Sequence, residues 1–110
     1  MANRKIKLIA VDLDGTLLRQ DHITLSPKNR EALTRAADEG IEVVVATGRS
    51  IAAIAPQVLE LPFLRYFITC NGSLTTDREG NVLRAAPLPV DVTLEILEHL
   101  TGMGGFAIQL

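Results

Sequence analysis

Cysteine is nearly missing from this 110-residue sequence: Cys70 stands alone, so no internal disulfide can brace the fold. Long hydrophobic runs are missing too, and no segment approaches the length needed to span a bilayer. The N-terminus starts like a secretory leader, with Arg4, Lys5 and Lys7 ahead of Leu8–Val11, but Asp12 ends the apolar run far too early. Charge of one sign is also scarce. The net charge is -2, and that N-terminal group is the densest set of basic residues. A chain so balanced lacks the electrostatic footprint of a nucleic-acid or anionic-membrane binder. With no disulfide, leader or anchor in view, the expected compartment is the cytoplasm. Internal repeats and low-complexity stretches are absent as well.

What is present is an apolar fraction of 47%, enough to pack one small domain. Lys7–Val11 reads as a strand buried on both faces that ends in a polar turn at Asp12–Thr16. Ser26-Pro27 supplies an N-cap and a first-turn proline for a helix with Leu33, Ala36 and Ala37 on one face, closed by Gly40. Val43–Val45 predicts a second buried strand, ending at Thr47-Gly48-Arg49. Ile51, Ile54, Ala55, Val58 and Leu59 fall at helical spacing, with Pro56 expected to kink that helix or delay its start. Tyr66–Cys70 predicts a third strand, ending at Asn71-Gly72. Alternating strand and helix, with polar motifs at the strands' C-terminal ends, specify an α/β domain built on a Rossmann-like parallel sheet with flanking helices. Ligands bind such sheets at the carboxyl edge of the strands.

After Asn71 the rhythm changes. Ser73–Thr76 and Asn81–Arg84 flank Asp77–Gly80 as a predicted hairpin with a four-residue loop. Pro87 and Pro89 mark a boundary. Val92, Ile96, Leu97 and Leu100 then predict a helix, broken by Gly102, Gly104 and Gly105 before a fresh apolar run, Phe106–Leu110.

Asp12 and Asp14 stand two positions apart where the chain leaves a strand, so alternation can aim both carboxylates into one pocket. Two close carboxylates repel, and a cation or a retained proton has to compensate. A phosphoryl-transfer site uses both: one ionised carboxylate attacks phosphorus beside Mg²⁺, and the other, with a raised pKa, moves the proton. Gly15 permits a tight turn, and the Thr16 hydroxyl can fix that turn or donate to an oxygen. An acidic turn at a strand end is the rival explanation. By this composition, however, Asp-x-Asp-Gly-Thr arises by chance in only about two chains per thousand of this length. The Thr47 hydroxyl and Gly48 amide form a ready phosphate cradle, while Arg49 can reach a substrate or pair with a carboxylate. Asn71 belongs either to an Asn-Gly turn or to a substrate contact. Cys70 reads as a packed thiol. His22 lies in the loop after the first motif, where it either helps close the site or is structural, and His99 follows Glu95 at helical spacing as an exposed pair; for both the structural reading is favoured.

Val11–Leu18 resembles the first motif of the haloacid-dehalogenase superfamily, and Ala46–Ser50 resembles its second. Cys70-Asn71-Gly72 resembles the third-strand end of the Cof-type subgroup, whose members mostly act on sugar phosphates and other small phosphorylated metabolites. The resemblance implies Asp12 as nucleophile and magnesium ligand, and Asp14 as acid/base with its backbone carbonyl on the metal. It implies that Thr47 and Gly48 hold the transferring phosphoryl group. An aspartate at 14 points to phosphatases and phosphomutases, since the superfamily's transport ATPases carry threonine there and its dehalogenases lack the aspartate.

The same resemblance implies a large α/β cap after the third strand, then a lysine motif and a distal acidic motif that completes the magnesium site. Residues 1–86 correspond to the N-terminal part of the core and residues 87–110 to the beginning of the cap. The three lysines, Lys5, Lys7 and Lys28, do not match the lysine motif, and no second acidic pair follows at a suitable distance. The expectation is a Mg²⁺-dependent phosphatase of small phosphorylated metabolites, represented by an N-terminal fragment that is inactive alone. The alternatives are a sugar phosphomutase, separable by its isomeric product, and a non-catalytic fragment that only folds or associates. Family topology places Lys7–Val11 mid-sheet, so the fragment is expected to be oligomeric or swapped through an open sheet edge.

Overall fold

The computed structural model describes residues 4–105. Its framework is one five-stranded sheet in the order β1-β2-β3-β4-β5: β1 Leu8–Val11, β2 Glu42–Ala46, β3 Tyr66–Thr69, β4 Leu74–Asp77 and β5 Val82–Ala85. The first three strands run parallel. β4 runs antiparallel to β3 and pairs antiparallel with β5, forming the hairpin expected after Asn71. The connection from β3 to β4 is a short turn around Cys70–Gly72, which cannot make the crossover that a parallel neighbour needs.

Helix α1, Pro27–Asp38, joins β1 to β2. The Ser26 hydroxyl accepts from the Asn29 amide at 3.2 Å, and Pro27 occupies the first turn. Beyond the helix, Gly40 takes φ +82°, and the Ile41 amide donates to the Ala36 carbonyl at 3.0 Å. Between β2 and β3 the expected helix survives only as a 3₁₀ turn, Ile51–Ala53, and a single-turn α2, Pro56–Leu59. Pro56 is the reason. It has no amide to donate, and it drives the preceding Ala55 to an extended ψ of 135°, which breaks the segment and delays α2 to Pro56.

The apolar core gathers where α1 and the 51–64 connection cover the sheet. Leu13, Val45, Val58 and Leu64 are fully buried there, with Val43, Leu61 and Phe67 nearly so. Val44 is buried on the opposite face, so β2 is covered on both sides as its unbroken valines predict. β1 is not: among the described residues it forms a sheet edge, and Leu8 remains 54% exposed. The hairpin loop is shifted one residue from expectation, to 78–81. Asp77 takes the Asn81 backbone and side-chain N–H groups at 2.8 Å each, drawing Asp77 into β4. Arg78 ties the hairpin to the core by donating to the Leu61, Leu64 and Leu59 carbonyls at 2.9, 2.8 and 2.6 Å.

Helix α3, Val90–Met103, follows the extended segment after β5. It buries none of its residues, and Val90, Leu94 and Met103 stand exposed. The expected apolar run Phe106–Leu110 lies outside the described residues. Among those described, no helix is long and apolar enough to cross a membrane.

Candidate active site

Two parallel strands stop side by side, and their exits build the site. β1 runs out at Asp12, still extended at φ -79°, ψ 152°, with its Oδ1 accepting from the Leu13 amide at 2.8 Å. The chain then reverses within the next five residues. Gly15 turns at φ +75°, and the Leu17 and Leu18 amides reach back to the Asp12 and Leu13 carbonyls at 3.3 and 2.9 Å. Leu13 and Leu17 anchor this loop in the core, which holds the Asp12 carboxylate at the sheet's edge.

At the end of β2, Thr47 is buried, with 5% of its surface exposed. Its Oγ1 accepts from the Arg49 amide at 3.1 Å, leaving the hydroxyl proton for an external acceptor. The turn after β3 is stitched to this loop from two sides. The Asn71 amide donates to the Thr47 carbonyl at 3.1 Å and the Cys70 amide to the Arg49 carbonyl at 3.0 Å. Cys70, Asn71 and Gly72 all take positive φ, at 50°, 55° and 92°. Such a run is strained for the two non-glycine residues, and the stitching holds it. It brings Asn71 Oδ1 within 2.8 Å of where a Cβ on residue 48 would sit, so Gly48 permits the approach.

Asp12, Thr47, Gly48 and Asn71 together line one cavity of about 390 Å³. Four of the seven residues singled out from the sequence thus converge at the carboxyl edge of the parallel strands. The other three do not line it. Thr16 is exposed in the turn beyond. Asp14 and Arg49 face each other instead, with Arg49 Nε donating to Asp14 Oδ2 at 2.8 Å and Nη2 to Oδ1 at 2.5 Å. The same guanidinium donates through Nη1 to the Ala53 carbonyl at 3.0 Å and through Nη2 to the His22 carbonyl at 2.8 Å. Four of its five N–H groups are therefore engaged within the protein.

This corrects two expectations for Asp14. Its carboxylate does not follow Asp12 into one pocket, because the strand ends at Val11 and the turn at Gly15 breaks the alternation. Nor is its pKa raised: the Arg49 hydrogen bonds, followed by that of His22, hold it at about 2, against an ordinary 3.8. Compensation for the second carboxylate comes from an arginine, a third solution beside the cation and the retained proton.

The loop after the first motif brings His22 onto Asp14, with Nδ1 at 2.8 Å from Oδ1, the site-closing alternative for this residue and not the structural one. The ring arrives there because residue 22 takes φ +60°. Its amide donates to the Arg19 carbonyl at 2.9 Å, and the Asp21 carboxylate accepts from the Ile23 and Thr24 amides at 2.9 and 2.8 Å, closing an Asx turn. No periodicity in the sequence marks this position; Asp21 is the only local cue.

Among the described residues, no three His, Cys, Asp or Glu side chains converge as a metal cage. The available donors are nonetheless hard oxygens, which suit Mg²⁺. That ion ordinarily binds one or two carboxylates and completes its shell with water and phosphate. Asp12, with only the Leu13 amide on its carboxylate among the described residues, fits such a partial shell.

The haloacid dehalogenase-like hydrolase family matches the chain over residues 9–110. The pyridoxal phosphate phosphatase YbhA of Escherichia coli is 41% identical over 95 residues, 86% of this chain and 35% of that protein. The 5-amino-6-(5-phospho-D-ribitylamino)uracil phosphatase YcsE of Bacillus subtilis is 38% identical over 86 residues, 78% of this chain and 34% of that one. The solved structure of a haloacid dehalogenase-like hydrolase from B. subtilis superposes with a TM-score of 0.77 at 36% identity, over 89% of this chain and 34% of its own. The chain therefore spans about one third of the length of the relatives it matches.

Proposed function

The chain belongs to the haloacid dehalogenase-like hydrolase family, in its Cof-type branch, and on that premise we propose that it carries the nucleophile side of a cytoplasmic, Mg²⁺-dependent phosphatase of small phosphorylated metabolites. Residues 1–86 supply core and residues 87–110 begin a cap. The observation that carries this reading is the cavity shared by Asp12, Thr47, Gly48 and Asn71 where parallel strands end. The phosphatase relatives YbhA and YcsE support the substrate class.

In this reading the phosphoryl group enters that cavity and accepts hydrogen bonds from the Thr47 hydroxyl and the Gly48 amide. An Asp12 oxygen attacks phosphorus, the bond to the leaving oxygen breaks, and Asp14 delivers the proton to that oxygen. Water then gives its proton to Asp14 and displaces Asp12, releasing inorganic phosphate. The Asp12 carboxylate and the Asp14 backbone carbonyl would hold Mg²⁺, which would supply charge neutralisation for the attack on phosphorus. While paired with Arg49 the Asp14 carboxylate is an anion, so proton delivery requires it to release that guanidinium and to carry a proton, the one that the attacking water leaves on it in the preceding turnover.

The test is Asp12→Asn in the protein at its relatives' length. An amide lacks the anionic oxygen, so turnover and the phosphoenzyme should vanish together, and near-normal turnover would sink the assignment. Free phosphate as product, in place of an isomeric ester, separates the phosphatase from a mutase.

A further inference from the structure

The acid/base must touch the oxygen that bridges phosphorus and the leaving group. With the phosphoryl group in the Asp12 cavity, the organic part of the ester lies beyond Asp14. A second cavity of about 460 Å³, lined by Gly15, Leu18, Arg19, Gln20 and His22, adjoins Asp14 through two of these residues. Gly15 follows Asp14 in the chain, and His22 Nδ1 sits 2.8 Å from Asp14 Oδ1.

Two features separate His22 from an ordinary surface histidine. Its backbone is held at φ +60°, which is unfavourable for a residue with a Cβ and is maintained here by the Asp21 turn. Its carbonyl is gripped by Arg49 Nη2 at 2.8 Å, so main chain and ring are both fixed to the site. Its side chain is nevertheless 62% exposed, so burial is not what holds it. The tautomer follows from the partner: a carboxylate only accepts, so Nδ1 carries the proton, and Nε2 of the neutral ring is left as an acceptor. An acceptor one ring's width from the acid/base recognises a donor on the leaving group. A hydroxyl next to the bridging oxygen meets that need, and it also accepts from the ring's protonated form.

We propose that His22 is a specificity residue: it reads a hydroxyl on the leaving group from the cavity beside Asp14, and so favours polyhydroxylated phosphate esters over simple alkyl ones. The proposal rests on the phosphatase reading above and names the substrate feature that its site selects.

The experiment compares kcat/KM for sorbitol 6-phosphate and ethyl phosphate in the protein at its relatives' length, as wild type, His22→Ala, His22→Gln and Asp12→Asn. Losing one hydrogen bond to a hydroxyl corresponds to about tenfold or somewhat less. His22→Ala should therefore lower the sorbitol-to-ethyl preference by about fivefold to tenfold. Glutamine, which keeps an acceptor, should recover part of it. Equal losses for both esters would mean that His22 acts only through Asp14, and an unchanged preference would mean that it contacts no leaving group; either overturns the proposal. Asp12→Asn separates the two levels. Inactivity there with an unchanged preference in His22→Ala rejects the specificity role alone, whereas activity there rejects the phosphatase reading and this proposal with it.

Discussion

Gly48→Ala isolates a single contact in the cavity. The backbone at residue 48 lies outside the left-handed region, so alanine fits it without strain. Loss of unfolded-state freedom alone would stabilise the variant by about 0.4–1 kcal/mol. Against that, the new methyl group would stand 2.8 Å from Asn71 Oδ1, where ordinary contact begins near 3.4 Å, so the Asn71 amide must retreat by roughly 0.6 Å. Overpacking a rigid core costs about 1–3 kcal/mol, but the obstacle here is the tip of an exposed side chain, so the low end of about 1 kcal/mol applies. The two effects nearly cancel, and urea denaturation of the 110-residue chain should shift by less than about 1 kcal/mol. Catalysis should not be spared, because the amide is pushed from its place in the cavity wall: kcat/KM on a phosphate ester, measured at the relatives' length, should fall on the order of tenfold. The control is Asn71→Gly, which removes the amide and tolerates the φ of +55°. If Gly48→Ala acts through Asn71, it should add little in that background. An equal loss there, or destabilisation beyond about 2 kcal/mol, would refute the reasoning and assign the effect to the residue 48 amide itself.

Three further outcomes follow from the packing and the charges. Asp14 and Asp21 are both held at about 2 against an ordinary 3.8, so the unfolded chain binds more protons between those values. Their stabilisation is complete above pH 3.8 and fades as pH falls toward 2; acid titration of Asp21→Asn should show a shallower loss than wild type over that window. Leu64, fully buried in the core, should cost about 2–5 kcal/mol when truncated to alanine, read from denaturant midpoints; a loss below about 1 kcal/mol would mean the site collapses around the missing atoms. Residues 1–110 alone should release no phosphate from esters, bind Mg²⁺ weakly and sediment as an oligomer, because β1 offers an unpaired edge with Leu8 54% exposed. A catalytically competent monomer would falsify that expectation.

Local chemistry alone determined much of this protein. Ser26-Pro27 starts α1, the valines of β2 demand burial on both faces, and Pro56 delays the start of the second helix. The strand-end motifs also assign Asp12, Thr47, Gly48 and Asn71 to one edge, because parallel strands bring their C-terminal ends together whatever their order. Tertiary structure decided the rest. Alternation aims Asp14 with Asp12 only while the chain remains a strand, and the chain stops being one at Val11. Which cation then neutralises Asp14 depends on a contact spanning 35 residues, and its histidine neighbour depends on the backbone of a turn. Neither leaves a periodic mark, because side-chain pairing across loops is set by where the loops land. The same holds for Arg78, whose role depends on three carbonyls that the hairpin reaches only after the core has formed.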